Sequence, residues 1–272
     1  MKILEKIINI DRRVIFLLIG LVVFIPLLFK IVTPTKISEP VKKAYEAIEA
    51  LPPGSNVMIS IDFDPTSAPE CMPMYIAILR HCFKRNLRVI VLGHIAYGIP
   101  LGEIGLEKVS KEFGKKYGVD YVNLGFRPGY TAIMVGMGRE IRDFYAQDYR
   151  GTPIDSFPFM RDVHNYNDIE MLVDIAHGYS AELWVQYAGA RYGQRIIIGS
   201  TGVVAPDIYP YLQSGQIEGI IGGMKGAAEY EQLLKRPDMA AIGMPALSIS
   251  HFFIVFLIIM ANIGFFIRRR KR

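Results

Sequence analysis

The chain has 272 residues, 51% of them hydrophobic, with 31 Lys/Arg against 26 Asp/Glu and a net charge of +5. That excess lies at the ends: residues 1–37 hold six Lys/Arg and two acids, and 246–272 hold five Lys/Arg and no acid, leaving 20 basic and 24 acidic residues between them. The middle is therefore mildly acidic, which excludes nucleic acid as a partner, because that would need a basic patch on the domain itself.

In chain order, the first apolar run is VIFLLIGLVVFIPLLF, from Val14 to Phe29, extendable past Lys30 through Val32. The second, ALSISHFFIVFLIIMANIGFFI, fills 246–267 near the other end. A spanning helix takes roughly 20 mostly apolar residues, so the reading is one transmembrane helix at each end, at 14–32 and 246–267. A cytoplasmic tail 1–13 and a basic cytoplasmic tail 268–272 flank them. The small-residue cleavage pattern of a signal peptide is missing after Lys30, which favours an anchor. Lys2, Lys6, Arg12 and Arg13 precede the first run, and Arg268–Arg272 are all Lys or Arg. Positive flanks stay inside. The expectation is an integral membrane protein of a prokaryotic plasma membrane, with both termini cytoplasmic and the central domain extracytoplasmic.

Residues 33–55 read as a juxtamembrane helix and linker: Val41, Tyr45 and Ile48 recur at helical spacing behind a capping Ser38, and Pro52-Pro53-Gly54 ends the helix. From 56 to 235 short apolar runs alternate with amphipathic ones. The expected strands are 56–63, 87–95, 121–126, 171–176, 194–200 and 217–221. The expected helices are 71–86, one ending near Gly118, 131–147, 181–192, 207–213 and 227–234. Residues 169–176 would also suit a helix, with acids at Asp168, Glu170 and Asp174. Residues 236–245 read as a linker. Cys71 and Cys82 lie on one helix, eleven residues or about 16 Å apart at the usual rise, too far for a disulfide.

Strands apolar on both faces argue a parallel sheet covered by helices. The fold class is α/β, Rossmann-like, a mostly parallel sheet flanked by helices. In such an order the first and fourth strands are neighbours and ligands sit at the carboxyl ends around that reversal. The patternless stretch Asp148–Asp168 is read as a lid, or as a segment whose Phe157, Phe159 and Tyr166 dock on a neighbour or on the membrane surface.

The residues that follow the strands supply the candidate site. Asp62 and Asp64, two apart on an extended segment, point to one side and suit a shared cation or a base and its orienter. The competing reading is that Asp64-Pro65 starts a turn. His94 and His177 are candidate acid–base groups, catalytic together with the two aspartates if the protein is an enzyme. No metal-ligand spacing, nucleophile elbow, P-loop or dinucleotide fingerprint is present, so no metal is assigned and no cofactor follows. Thr66, Ser67, Arg127, Ser180, Thr201, Gly223 and Lys225 are candidate ligand-binding residues, with Arg127, Lys225 and the glycine turn before a helix suited to a small anion. The competing reading is that these glycines only serve tight turns.

Two functions follow, with a cytoplasmic-facing sensor as a third if the orientation is inverted. One is a membrane-anchored interaction or small-anion-binding subunit within a larger membrane assembly or homo-oligomer. The other is a membrane-tethered hydrolase or transferase with a carboxylate/histidine site.

Overall fold

The computed structural model describes residues 11–270. Residues 1–10 and 271–272, with Lys2, Lys6, Lys271 and Arg272, lie outside the described residues. The chain divides into two units, Thr35–Arg236 and a second formed by both flanking segments.

In the flanking unit, α1 spans Arg12–Leu28 and packs against the long helix α10, Met239–Arg270. The first expected span does not have the length: α1 has 17 residues, about 25 Å at 1.5 Å per residue against a hydrocarbon core of about 30 Å. The chain leaves the helix at Phe29, and Lys30 takes a positive φ of 47°, so Ile31 and Val32 do not extend it. Met239–Phe266 of α10 is, among the described residues, the one segment long and apolar enough to cross a membrane. It begins earlier than the apolar run suggested and absorbs most of the expected 236–245 linker. Both helices expose large side chains, among them Phe16, Phe24 and Phe252.

The other unit opens with α2, Glu39–Glu49. Ser38 does not cap it through its side chain. Its backbone N–H and Oγ both bond Oε2 of the fully buried Glu229, at 2.9 and 2.5 Å, and the Thr35 N–H bonds Gln232 Oε1 at 2.9 Å. The first residues of the domain are thereby stitched to its last helix.

Then follow β1 (Asn56–Asp62), α3 (Ala68–Lys84), β2 (Arg88–Gly93), α4 (Gly98–Phe113), β3 (Tyr121–Phe126), α5 (Tyr130–Met137), β4 (Met171–Ala176), α6 (Ser180–Trp184), α7 (Ala190–Tyr192), β5 (Ile196–Ser200), α8 (Ala205–Gln213), β6 (Gly219–Gly222) and α9 (Gly223–Leu233). A π turn, Val185–Gly189, joins α6 to α7. All strand pairs are parallel, in the order β3-β2-β1-β4-β5-β6. This is a Rossmann-like sheet with its reversal between β1 and β4.

The expected helix 131–147 stops at Met137. A Cβ on Gly136 or Gly138 would fall 2.0 and 2.2 Å from the rings of Phe144 and Tyr192, so the chain turns under aromatic rings that approach its backbone. The stretch Asp148–Asp168 is no lid. It is a run of 3₁₀ turns whose Ile154, Phe157, Phe159, Met160, Val163 and Tyr166 are buried in the domain core, which also removes these aromatics from any docking role.

The two sheet faces differ. Val57, Ile59, Ile61, Val89, Val91, Val173, Ile175 and Ile197 make one face apolar except for Asn123 of β3, beside Val91. The other carries Met58, Ile90, Leu92, Leu172, Ile196 and Ile198 in the core, but Ser60, Asp62, Asp174 and Ser200 interrupt it toward the carboxyl ends. In register, Ser60 lies opposite Asp174, and Asp62 and Ser200 both flank Ala176.

Behind the apolar face, His81 of α3 is buried with Nδ1 2.7 Å from Tyr230 Oη and Nε2 2.8 Å from Glu49 Oε2. Its ring stacks on Tyr45 at 4.4 Å. Burial, outweighing the contact with Glu49, lowers its pKa to about 4. The unfolded chain takes up this proton near 6.5 and the native state only near 4, so stability falls as pH drops between those values. Unfolding midpoints in urea should decline below about pH 6.5, and His81→Gln should flatten that decline; an unchanged slope would assign it to other groups.

Cys71 and Cys82 are buried free thiols.

Candidate functional site

The polar interruption of the sheet sits at the β1/β4 reversal. Asp62, the last residue of β1, is 1% exposed. Its Oδ2 accepts from Ser60 Oγ (2.7 Å) and Trp184 Nε1 (3.3 Å), and its Oδ1 accepts from the His94 backbone N–H (2.7 Å). The β2–α4 turn can deliver that N–H because Gly93 and Gly98 have no side chains: a Cβ on either would lie 2.6–2.7 Å from the Ile61 carbonyl oxygen. The His94 ring approaches the same carboxylate, with Nδ1 3.5 Å from Oδ1, yet neither ring nitrogen has a hydrogen-bond partner.

Asp174, in the middle of β4, is fully buried and accepts from Ser180 Oγ at 3.3 Å. Burial, reinforced by the neighbouring Asp62 charge, pushes its carboxyl well above the usual range. Burial also acts to raise Asp62, but the His94 ring and N–H and the Ser60 hydroxyl outweigh it and hold the carboxyl below its ordinary value. These opposite directions favour the proton on Asp174 and the negative charge on Asp62. Proton sharing of this kind is what two carboxyls in one dry site must adopt.

Around the pair, Ser200 Oγ, Tyr145 Oη and both His94 nitrogens are buried without hydrogen-bond partners. Buried polar groups are overwhelmingly paired, so this cluster of orphans on one face marks a place where partners are expected from outside. Rings lead outward from it: Trp184 meets His94 edge-on at 5.4 Å, His94 stacks on Tyr130 at 4.8 Å, and Tyr130 lies 5.7 Å from Tyr179, which is 64% exposed.

Asp64 does not share a side with Asp62. Its Oδ1 accepts from the Thr66 N–H and hydroxyl (2.9 and 2.6 Å) and the Ser67 N–H and hydroxyl (3.2 and 3.1 Å), in the turn before α3. The Thr66 hydroxyl leads in drawing its pKa down to about 2. Thr66 and Ser67 are spent on that turn. His177 places Nδ1 3.2 Å from the Asp62 main-chain oxygen, beside the carboxylate but bonded to backbone. Ser180 belongs to the cluster through Asp174. Arg127 is engaged by the carbonyls of Phe144 (2.9 Å) and Phe126 (3.0 Å) and lies over the Tyr145 ring. Thr201 uses its carbonyl to start α8. Gly223, with φ of +60°, packs against Gly202, where a Cβ would lie 3.1 Å from the Gly202 Cα. The Gly202 N–H is taken by the Glu70 carboxylate at 2.8 Å, and Lys225 pairs with Glu229.

Sequence reasoning passed over Ser60, Asp174, Tyr130, Tyr145, Trp184 and Ser200. Two of them carried a signal: Asp174 is a lone acid inside the apolar run MLVDIA, and Trp184 is the single tryptophan of the chain. Among the described residues no group of three His, Cys, Asp or Glu side chains is placed to hold a metal ion. Clefts of about 240 and 380 Å³ open at the opposite end of the sheet, around Gln194 and Arg195 ahead of β5. They lack a comparable titratable cluster, and ligands of such sheets bind at the carboxyl ends.

No protein-family description and no curated protein matches the sequence. Among solved structures, a molybdenum cofactor carrier protein from Chlamydomonas reinhardtii is similar over 67% of this chain and 99% of its own, at 17% identity and a TM-score of 0.35. That likeness is too loose to bear on function, and the assignment of an α/β, Rossmann-like domain rests on the strand order and register above.

Proposed function

We propose that this is a membrane-anchored α/β domain that binds a small polar molecule at the β1/β4 reversal, with the Asp62–Asp174 pair as the floor of the site. The observation that carries the reading is the set of unpaired buried polar atoms on one sheet face, gathered where Rossmann-like sheets take ligands. The anchor is Met239–Phe266. The basic run Arg268–Arg272 favours a cytoplasmic carboxyl end and so a domain on the far side of the bilayer. The exposed phenylalanines of α1 and α10 suit lipid or neighbouring membrane proteins, as an assembly subunit requires.

Trp184 provides the test. As the sole tryptophan, bonded to Asp62, it makes tryptophan emission, excited apart from the tyrosines, a reporter of the site. Adding back the small-molecule extract of the native membranes should change Trp184 emission in saturable fashion, and Ser200→Ala should weaken the response without unfolding the protein. Native mass spectrometry should identify the bound species. No saturable response from any fraction would defeat the reading.

One observation favours the enzymatic alternative, a hydrolase or transferase. A carboxylate and a neutral carboxyl side by side, with an imidazole at 3.5 Å, is the division of labour general acid–base catalysis uses. Here the bound molecule would be recovered as product, and Asp62→Asn would abolish turnover.

A further inference from the structure

Resting on the ligand-binding reading above, we infer that the site selects an organic cation, an ammonium or protonated nitrogen base carrying a flat or apolar group. Charge favours a cation. Of the cations that the sequence aligned with the strand ends, Arg127 is held by two backbone carbonyls and lies over the Tyr145 ring, and Lys225 pairs with Glu229. The glycine turns that would cradle an anion are closed by a carboxylate of the protein itself, Glu70 on the Gly202 N–H. An anion entering at the floor would meet the Asp62 carboxylate, and like charges in a dry site repel strongly.

The orphaned atoms favour a donor. Ser200 Oγ and Tyr145 Oη can each accept a hydrogen bond. An ammonium, a donor with no acceptor capacity, suits these hydroxyls and carries the charge opposite to Asp62. The wall favours a flat cation. His94, Tyr130 and Tyr179 form successive rungs from the buried carboxylate to solvent, and aromatic faces attract cations and stack on flat groups. Carboxylate floor, accepting hydroxyls and aromatic walls together describe a receptor for a positively charged organic molecule.

The experiment compares benzylammonium, benzyl alcohol and benzoate, matched in shape and differing in charge, on the full chain in non-ionic detergent. Trp184 fluorescence and calorimetry report binding. Benzylammonium should bind at least tenfold more tightly than either analogue, and Tyr179→Ala, an exposed position, should weaken it about five- to tenfold. Tightest binding by benzoate with the same dependence on Tyr179 would overturn the cation while leaving the site in place. Benzylammonium binding that is indifferent to both Tyr179→Ala and Asp62→Asn would place the probe elsewhere and sink site and class together. Failure of all three probes would overturn the cation inference, while the membrane-extract titration of Trp184 would still judge the site independently.

Discussion

Asp174→Asn should raise the melting temperature at pH 8, while Asp62→Asn, one strand away, should lower it. Asp174 keeps its proton in the native state at pH values where the unfolded chain has lost it, near 3.9 and above. Between that value and the raised native pKa the folded protein binds the extra proton, so its contribution to stability falls as pH rises. Asparagine keeps the shape, still accepts from Ser180, and donates toward Asp62 with no proton to lose. A gain of about 1–2 kcal/mol, or roughly 2–8 °C for a domain of this size, is expected, shrinking toward pH 4.

Asp62 has the opposite linkage. Its native pKa lies below the unfolded value, so its contribution is present above about pH 3.9 and is lost as pH falls through the native value. Asn at 62 turns an amide toward donors from Ser60, His94 and Trp184, costing roughly 2–4 kcal/mol. Thermal melts of both variants at pH 4, 6 and 8 decide the matter. Equal signs for the two would show that the proton is not divided between them as described.

Gly219→Ala carries the second large effect. Gly219 opens the edge strand β6, and a Cβ there would fall 2.4, 2.5 and 2.6 Å from the N, Cα and Cβ of Ala44 on α2. Main chain cannot swing aside as a flexible side chain would, so helix and strand must part. The expected loss is about 2–4 kcal/mol, a fall of roughly 4–16 °C by the usual scaling. Gly178→Ala is the control: a Cβ there meets nothing within 4 Å, and its melting point should stay within about a degree. If the two variants melt alike, the α2–β6 contact is looser than described.

These sites also show what the sequence made legible. The covered parallel sheet followed from strands apolar on both faces, and the β1–β4 adjacency from the Rossmann-like order such sheets adopt. The candidate site was read from residues just past each strand, which named Asp62 and His94 but also directed attention to Asp64, Arg127 and Lys225, which are engaged by other partners. Asp174 and Ser60 lie inside strands, where an isolated polar residue passes as noise until the register sets them opposite each other. Tyr145 and Trp184 come from segments whose place on the sheet depends on tertiary packing, which no periodicity encodes. The helix expected over 131–147 failed for a related reason, because Gly136 and Gly138 admit rings from Phe144 and Tyr192 that are distant or silent in the local pattern. α1 failed on length: composition recognised an apolar helix, but not that Phe29 and Lys30 would leave it.

The stitching of Thr35 and Ser38 to Gln232 and Glu229 gives the domain a mechanical property. Tension applied through the two flanking helices converges on neighbouring points, and the strap of α2 and α9 takes it up before any strand is loaded. A pull on the domain's two ends would load that corner first.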